Sequence, residues 1–246
     1  MVNEQQNLNL EVLDNPIWNA LCTRHHSLAS CDDLNLVRLY PRDMLPMAGL
    51  KNFEPEAISS FCSMLESKRR IGLCVPVAPV LPPELKVVMQ FDTAQMIRQI
   101  PPFEFSSICV EPIIELENKD IEQMQTLADL TRPGPFTSRT IQFGKFYGIK
   151  IGDRLVAMTG QRMSMQTTLQ NEICILTEVS GVCTHPDFQG RGYAKALVHQ
   201  ASLGIESRGE IPFLHVLASN NSAIKSYTAC GFTQRRIMQY LIVEKI

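Results

Sequence analysis

VCTHPDFQGRGYAKALV, residues 182–198, starts as a buried strand, breaks at Pro186, sets Gly190 and Gly192 on either side of Arg191, and then takes up helical spacing. The first amides of a helix have no partner inside it, and the helix dipole favours negative charge there. Arg191, Gly192, Tyr193 and Ala194 therefore read as a place for an anion. The two glycines let the backbone approach that anion without an intervening Cβ, Gln189 can hold the loop closed, and Arg191 adds a full charge. An ordinary strand-to-helix turn with two glycines would read the same way at this level. Two familiar phosphate motifs fail on the letters: a dinucleotide fingerprint needs glycine where Lys195 stands, and the Gly-Lys-Ser/Thr of a P-loop is absent.

Working outward, Ala194, Leu197, Val198, Ala201 and Ile205 form one face of the helix, and FLHVLA (213–218) reads as a buried strand. Asn220 or Asn221 caps a second helix that Gly231 ends, and a strand over about 236–243 follows. Upstream, FYGIKIGDRLVAMTG carries two apolar runs meeting at Gly152-Asp153, the signature of a two-residue hairpin, and a further strand runs through ICILTEVSGV. ICVEPII (108–114) reads as a strand. After it Asn118 caps a helix with Ile121, Met124, Leu127 and Ala128 inward, ending near TRPGPF. The prolines of IPPFEF (100–105) mark a boundary. Before it, a helix through Ile58, Phe61 and Leu65 and the strands IGLCV and LKVVMQF make a first unit.

The 246 residues are 45% hydrophobic and can bury one large core or two modest ones. Lys+Arg at 23 against Asp+Glu at 25 leaves no basic excess for general nucleic-acid binding. The N-terminus has neither the basic start nor the apolar stretch of a secretory signal, and no apolar run reaches the roughly 18 residues that span a bilayer. The 8 cysteines form no close pairs and read as reduced residues of a cytoplasmic protein, and the adjacent His25 and His26 lack ligand spacing, so no metal is expected.

Gln189, Gly192 and Ala194 meet the pattern Q/R-x-x-G-x-G/A, and Asn220, Ala223, Ile224, Tyr227, Gly231 and Phe232 meet N-x-x-A-I-x-x-Y-x-x-x-G-F, one strand further on. In this order the motifs resemble the GNAT superfamily of acyl-CoA N-acyltransferases. The stretches GPFTSRTI, YGIKIGDRLVAM and VCTHPDFQGRGYA look like a subgroup with a divergent N-terminal region. The resemblance covers residues 106–246, leaving 1–105 as a divergent α/β unit whose content permits a degenerate half of a similar fold. It implies an α/β (α+β) architecture: a mixed, mostly antiparallel sheet splayed at its centre and flanked by helices, with a smaller N-terminal α/β unit.

The resemblance also implies acetyl-CoA as cosubstrate. Its pantetheine arm would pair with Val182, Cys183 and Thr184, and its diphosphate would rest on amides from Gly190 to Ala194 next to Gln189, Arg191 and Tyr193. One of those amides could also polarise the thioester carbonyl. Asn220, with Ala223 beside it, would reach the pantetheine amides or simply cap its helix. Glu178 is expected as general base, its pKa raised by apolar flanks, and Tyr227 as the acid that protonates the leaving thiolate; Glu178 ending a strand in solvent is the plain alternative. Cys183 as an acyl carrier is the weaker chemistry, because a cysteine on a buried strand is usually packing.

The acceptor would be an amine, small molecule or peptide, arriving near loops at Arg132–Ser138 and Gly160–Met163, with Arg132 or Arg162 able to bind a carboxylate on it. A non-catalytic acyl-CoA-binding or regulatory module is the competing expectation, and homodimerisation is left open.

Overall fold

The computed structural model describes residues 10–98, 111–169 and 171–246. The expected boundary at 100–105 and the start of the strand expected at 108–114 lie outside them. The first unit contains α1 (Pro16–Cys22), the short strands β1 (Ser30–Cys31), β2 (Val37–Leu39) and β3 (Ala48–Leu50), α2 (Pro55–Met64), β4 (Arg70–Val75) and β5 (Leu85–Arg98). Then come β6 (Ile113–Leu116), α3 (Ile121–Thr131), β7 (Phe146–Ile151), β8 (Arg154–Leu169) and β9 (Glu172–Thr184). The last part holds α4 (Tyr193–Glu206), β10 (Ile211–Leu217), α5 (Asn221–Thr228) and β11 (Phe232–Lys245).

Among the described residues, eight strands form one sheet in the order β4-β11-β5-β10-β9-β8-β7-β6. A small antiparallel sheet of β1, β2 and β3 joins it through a bridge from Met47 to Gly72. All neighbours in the large sheet are antiparallel except β9 and β10, which run parallel. This is the mixed sheet flanked by helices that the motifs imply.

The strand order cuts across the sequence boundary. β5 lies between β11 and β10, pairing with β11 from Leu85 to Arg98 and with β10 over Thr93–Ile97, so strands from before residue 105 complete the sheet of the later residues. The LKVVMQF motif covers only the first half of this strand. Its second half, with Ala94, Gln95, Met96 and Ile97 all buried, is covered on both faces and so lacks the alternation that marks a half-exposed strand.

One face of the sheet packs on the N-terminal segment, where Leu13, Ile17, Leu21 and Tyr40 meet Met163, Met165, Leu176 and Phe213. The opposite face takes α4 and α5, with Leu197, Val198, Ala201, Ile205 and Tyr227 against Val179, Leu214 and Val216. Because side chains alternate along a strand, Glu178 and His215 share the face of Leu176 and Phe213, beneath the N-terminal segment.

Local signals hold in detail. Ile151 faces Arg154 across the Gly152-Asp153 turn. The cap before α3 sits one residue earlier than expected. Glu117 and Asp120 form a reciprocal capping box around a short 3-10 turn at Asn118–Asp120, Asp120 Oδ2 accepting from the Glu117 amide at 2.9 Å.

Candidate active site

β9 and β10 pair only where Leu176, Thr177 and Glu178 face Ile211, Pro212 and Phe213. Beyond Glu178, β9 stays with β8 as far as Thr184 while β10 stays with β5 as far as Leu217, so the sheet opens between them. A bulge contributes to the divergence: Met158 faces Cys183 and Gly160 faces Ser180, which leaves an extra residue on β9 around Gly181, whose φ is +64°. A bulge bends its strand and sharpens the local twist, and a positive φ is the conformation glycine adopts without strain.

The opening is a cleft in two parts, of about 500 and about 440 Å³. They meet along Val182, Cys183, Thr184, Gln189, Asn220 and Tyr227. The eleven residues expected at a cofactor (Val182 to Thr184, Gln189 to Ala194, Asn220 and Ala223) all line the first part. Gly190 and Gly192 have φ of +77° and +78°, and a Cβ on either would have nothing within 4 Å, so the space above their backbone is open. Gly192 is the N-cap of α4 and offers no side-chain cap, leaving the Tyr193 and Ala194 amides without an intrahelical partner. The Thr184 Oγ1 lies buried on the cleft wall with no hydrogen-bond partner among the described residues.

Asn220 caps α5, its Oδ1 accepting from the Ala223 amide at 3.1 Å. Its side-chain nitrogen is left for a ligand, whereas the Ala223 amide is not. Arg191 stacks over Phe188 at 4.8 Å, and the Tyr193 phenol is turned away to donate to Glu111 at 2.7 Å.

The second part of the cleft contains Arg132, Arg162 and His215 but not Glu178. Glu178 is 0% exposed, neither ending its strand nor reaching solvent. Arg162 donates to it twice, Nε to Oε2 and Nη2 to Oε1, both at 2.7 Å. Burial alone would raise the Glu178 pKa, but the Arg162 charge and the hydrogen bonds from Arg162 and His215 outweigh it and hold the carboxyl well below the usual range. The upward shift expected from apolar flanks is thus reversed. Gly160–Met163, expected as a loop, belongs to β8. There Gln161 faces Val179 and Ser164 faces Thr177, so Arg162 and Met163 sit at a second bulge that turns Arg162 onto Glu178.

Behind Glu178 the hydrogen bonds continue. His215 Nδ1 lies 2.8 Å from Oε1 of Glu178, and Gln95, directly opposite His215 in the register, places its Nε2 3.0 Å from His215 Nε2. Gln95 is itself oriented: Oε1 accepts from Arg235 at 2.8 Å and Nε2 donates to the Leu13 carbonyl at 2.8 Å. Burial opposes a charge on His215, but the Cys74 sulfur and Glu178 outweigh it and shift its pKa up to about 9, toward the cation; the contact with Gln95 weighs the other way. The Gln95 donor requires an acceptor at Nε2, which assigns the neutral imidazole with its proton on Nδ1, pointing at Glu178. Cys74 Sγ is 3.8 Å from the same Nε2, but Cys74 is buried and lines neither part of the cleft.

Tyr227 lies where the two parts meet. Burial, aided by Cys230 and Cys183 nearby, pushes its phenol well above the ordinary tyrosine value, so it is protonated at neutral pH. Burial likewise pushes the Cys183 thiol up to about 11, which keeps it protonated and a poor nucleophile.

Comparison with known proteins follows the same line. The model of the FR47-like protein family matches residues 156–241. A solved structure from Novosphingobium aromaticivorans DSM 12444, assigned to the GNAT family as an acetyltransferase, is 36% identical, with a TM-score of 0.83 over 95% of this chain and 98% of that one. This chain belongs to the GNAT family of acetyltransferases. A GCN5-related N-acetyltransferase-like protein from Streptococcus suis 89/1591 shares the fold, with a TM-score of 0.55 at 16% identity over 94% of each chain. No match was found among curated proteins.

GNAT acetyltransferases use an acyl-CoA as cosubstrate, and the cleft of this member has the donors for one. Uncapped amides and Arg191 suit the diphosphate, and the unpaired edge of β9 with Thr184 Oγ1 suits an extended amide-bearing arm. Two residues of this GNAT site, His215 and Gln95, carry no motif. The signal available in the sequence is a histidine inside FLHVLA and a glutamine inside a buried run, since buried polar groups must find partners.

Proposed function

We propose that the chain transfers an acetyl group from acetyl-CoA to an amine by direct attack, with Tyr227 as proton donor to the leaving thiolate. The observation that carries this reading is the gap opened between β9 and β10 after Glu178, which leads from the amides at Gly190–Ala194 to the Tyr227 phenol. Acyl-CoA supplies an activated thioester carbonyl. In this reading Val182, Cys183 and Thr184 hold the arm as an added strand would be held, and the Gly192, Tyr193 and Ala194 amides hold the diphosphate. A phenol that keeps its proton donates a hydrogen bond to sulfur as negative charge gathers there, in concert with bond cleavage.

Glu178 takes a different part from the one its position in the sequence suggests. Both its oxygens are committed and it does not line the cleft, so it serves here as the anchor of Arg162. Among the described residues, no carboxylate lines the second part of the cleft. The acceptor therefore enters as the free amine, and the proton it releases after attacking the thioester passes to solvent, which also returns one to Tyr227. Calorimetry with acetyl-CoA and release of CoA against a panel of amines test the reading. Binding without release for every amine, unchanged in Tyr227→Phe, would instead support a non-catalytic acyl-CoA-binding module.

A further inference from the structure

The second part of the cleft carries more cationic chemistry than an amine acceptor needs. Arg162 is 9% exposed, and its Nε and Nη2 are spent on Glu178, which fixes the guanidinium plane. Its Nη1 makes no hydrogen bond among the described residues while the residue lines the cleft, so it is an oriented donor left over for a ligand. Arg132 stands at the rim. It ends α3 in the left-handed conformation, with φ 49°, and is followed by Pro133, which stops the helix from continuing. Its guanidinium has no partner among the described residues. Glu178 cancels the charge of Arg162, so among the described residues that line this part Arg132 leaves it net positive, with donors from two elements. A protonated amine alone would be repelled there. A carboxylate beside the amine would be held.

We propose that the acceptor is a small amino acid-like zwitterion, its carboxylate bound between Arg162 and Arg132 while its amine faces the thioester next to Tyr227. The proposal rests on the acyl-transfer reading above for the amine, but the carboxylate site is a property of the two arginines alone. A bidentate arginine-type contact discriminates carboxylate from the isosteric carboxamide by both charge and geometry.

The test uses the full chain with two readouts. In the first, CoA release is measured with leucine, phenylalanine and glutamine, each beside its primary amide and its decarboxylated amine. The acids are expected to exceed both relatives by about tenfold or more in kcat/KM, and Arg132→Gln should shrink that ratio mainly through KM. The second readout is calorimetry of 3-phenylpropionate against 3-phenylpropionamide, with and without saturating CoA. Here the acid should bind at least about tenfold more tightly, and less so in Arg132→Gln. Equal binding of acid and amide, or preference for amides, decarboxylated amines or peptide N-termini, would overturn the proposal. If acetyl-CoA fails to bind while the acid still does, the acyl-transfer reading falls and the carboxylate site stands.

Discussion

Arg162 and Glu178 meet in a two-point pairing at 2.7 Å inside the sheet, one side chain brought by a bulge in β8 and the other by the last paired residue of β9 before the cleft opens. Removing Glu178 leaves the Arg162 charge without its partner in a largely buried setting. Glu178→Ala should therefore cost about 3–5 kcal/mol in urea unfolding, well beyond the loss from a surface carboxylate. A purely catalytic glutamate would lose rate and keep stability.

The same pair sets an acid limb of stability. The folded Glu178 carboxyl titrates below its unfolded value, so its stabilisation is present above the usual carboxylate range and is lost as pH falls through that range toward the depressed folded value. Unfolding free energy measured from pH 7 down to pH 3 should fall for the native chain, and part of that slope should vanish in Glu178→Gln. An unchanged slope in the variant would contradict the ion pair.

Tyr227→Phe keeps the ring that packs against Phe232 and removes only the hydroxyl. We expect a fall in kcat of about a hundredfold or more, with the acetyl-CoA dissociation constant nearly unchanged. A comparable fall in binding would mean that the phenol holds the cosubstrate and does not serve its departure.

With no free base on the acceptor side among the described residues, kcat/KM should rise with pH along the titration of the acceptor amine itself. For peptide α-amines that midpoint lies near about 8, and lysine-type amines move it toward about 10. A midpoint that stays fixed as the amine is varied would point to a protein base.

Gly192→Ala introduces a side chain at φ +78° with no neighbour to strike. The cost should be conformational, about 1–2 kcal/mol, and should appear as weaker affinity for CoA with little change for acetyl-pantetheine, which lacks the diphosphate.

Much of the site was written in the sequence because it depends on local rules. The turn at Gly190–Gly192, the Asn220 cap, the Gly152-Asp153 hairpin and the apolar face of α4 each follow from residues within a few positions of one another. What escaped depends on distant partners. Glu178 looks like a strand carboxylate next to a cleft, and only the N-terminal segment laid over that face, with Leu13 holding Gln95 and Gln95 holding His215, makes it buried and committed. Arg162 reads as a loop cation because the bulge that carries it into β8 leaves no mark in the letters.

The placement of β5 has a consequence for how the molecule is made. A ribosome delivers β5 long before β10 and β11, the two strands it must join, so β5 waits through more than a hundred residues for its neighbours. Such distant closure makes assembly slow and leaves unpaired strand edges exposed while it proceeds. A nascent chain that stops short of β11, or one that starts at Phe105, should be insoluble rather than partly active. The groove is thus born only when β5, β10 and β11 are all in place.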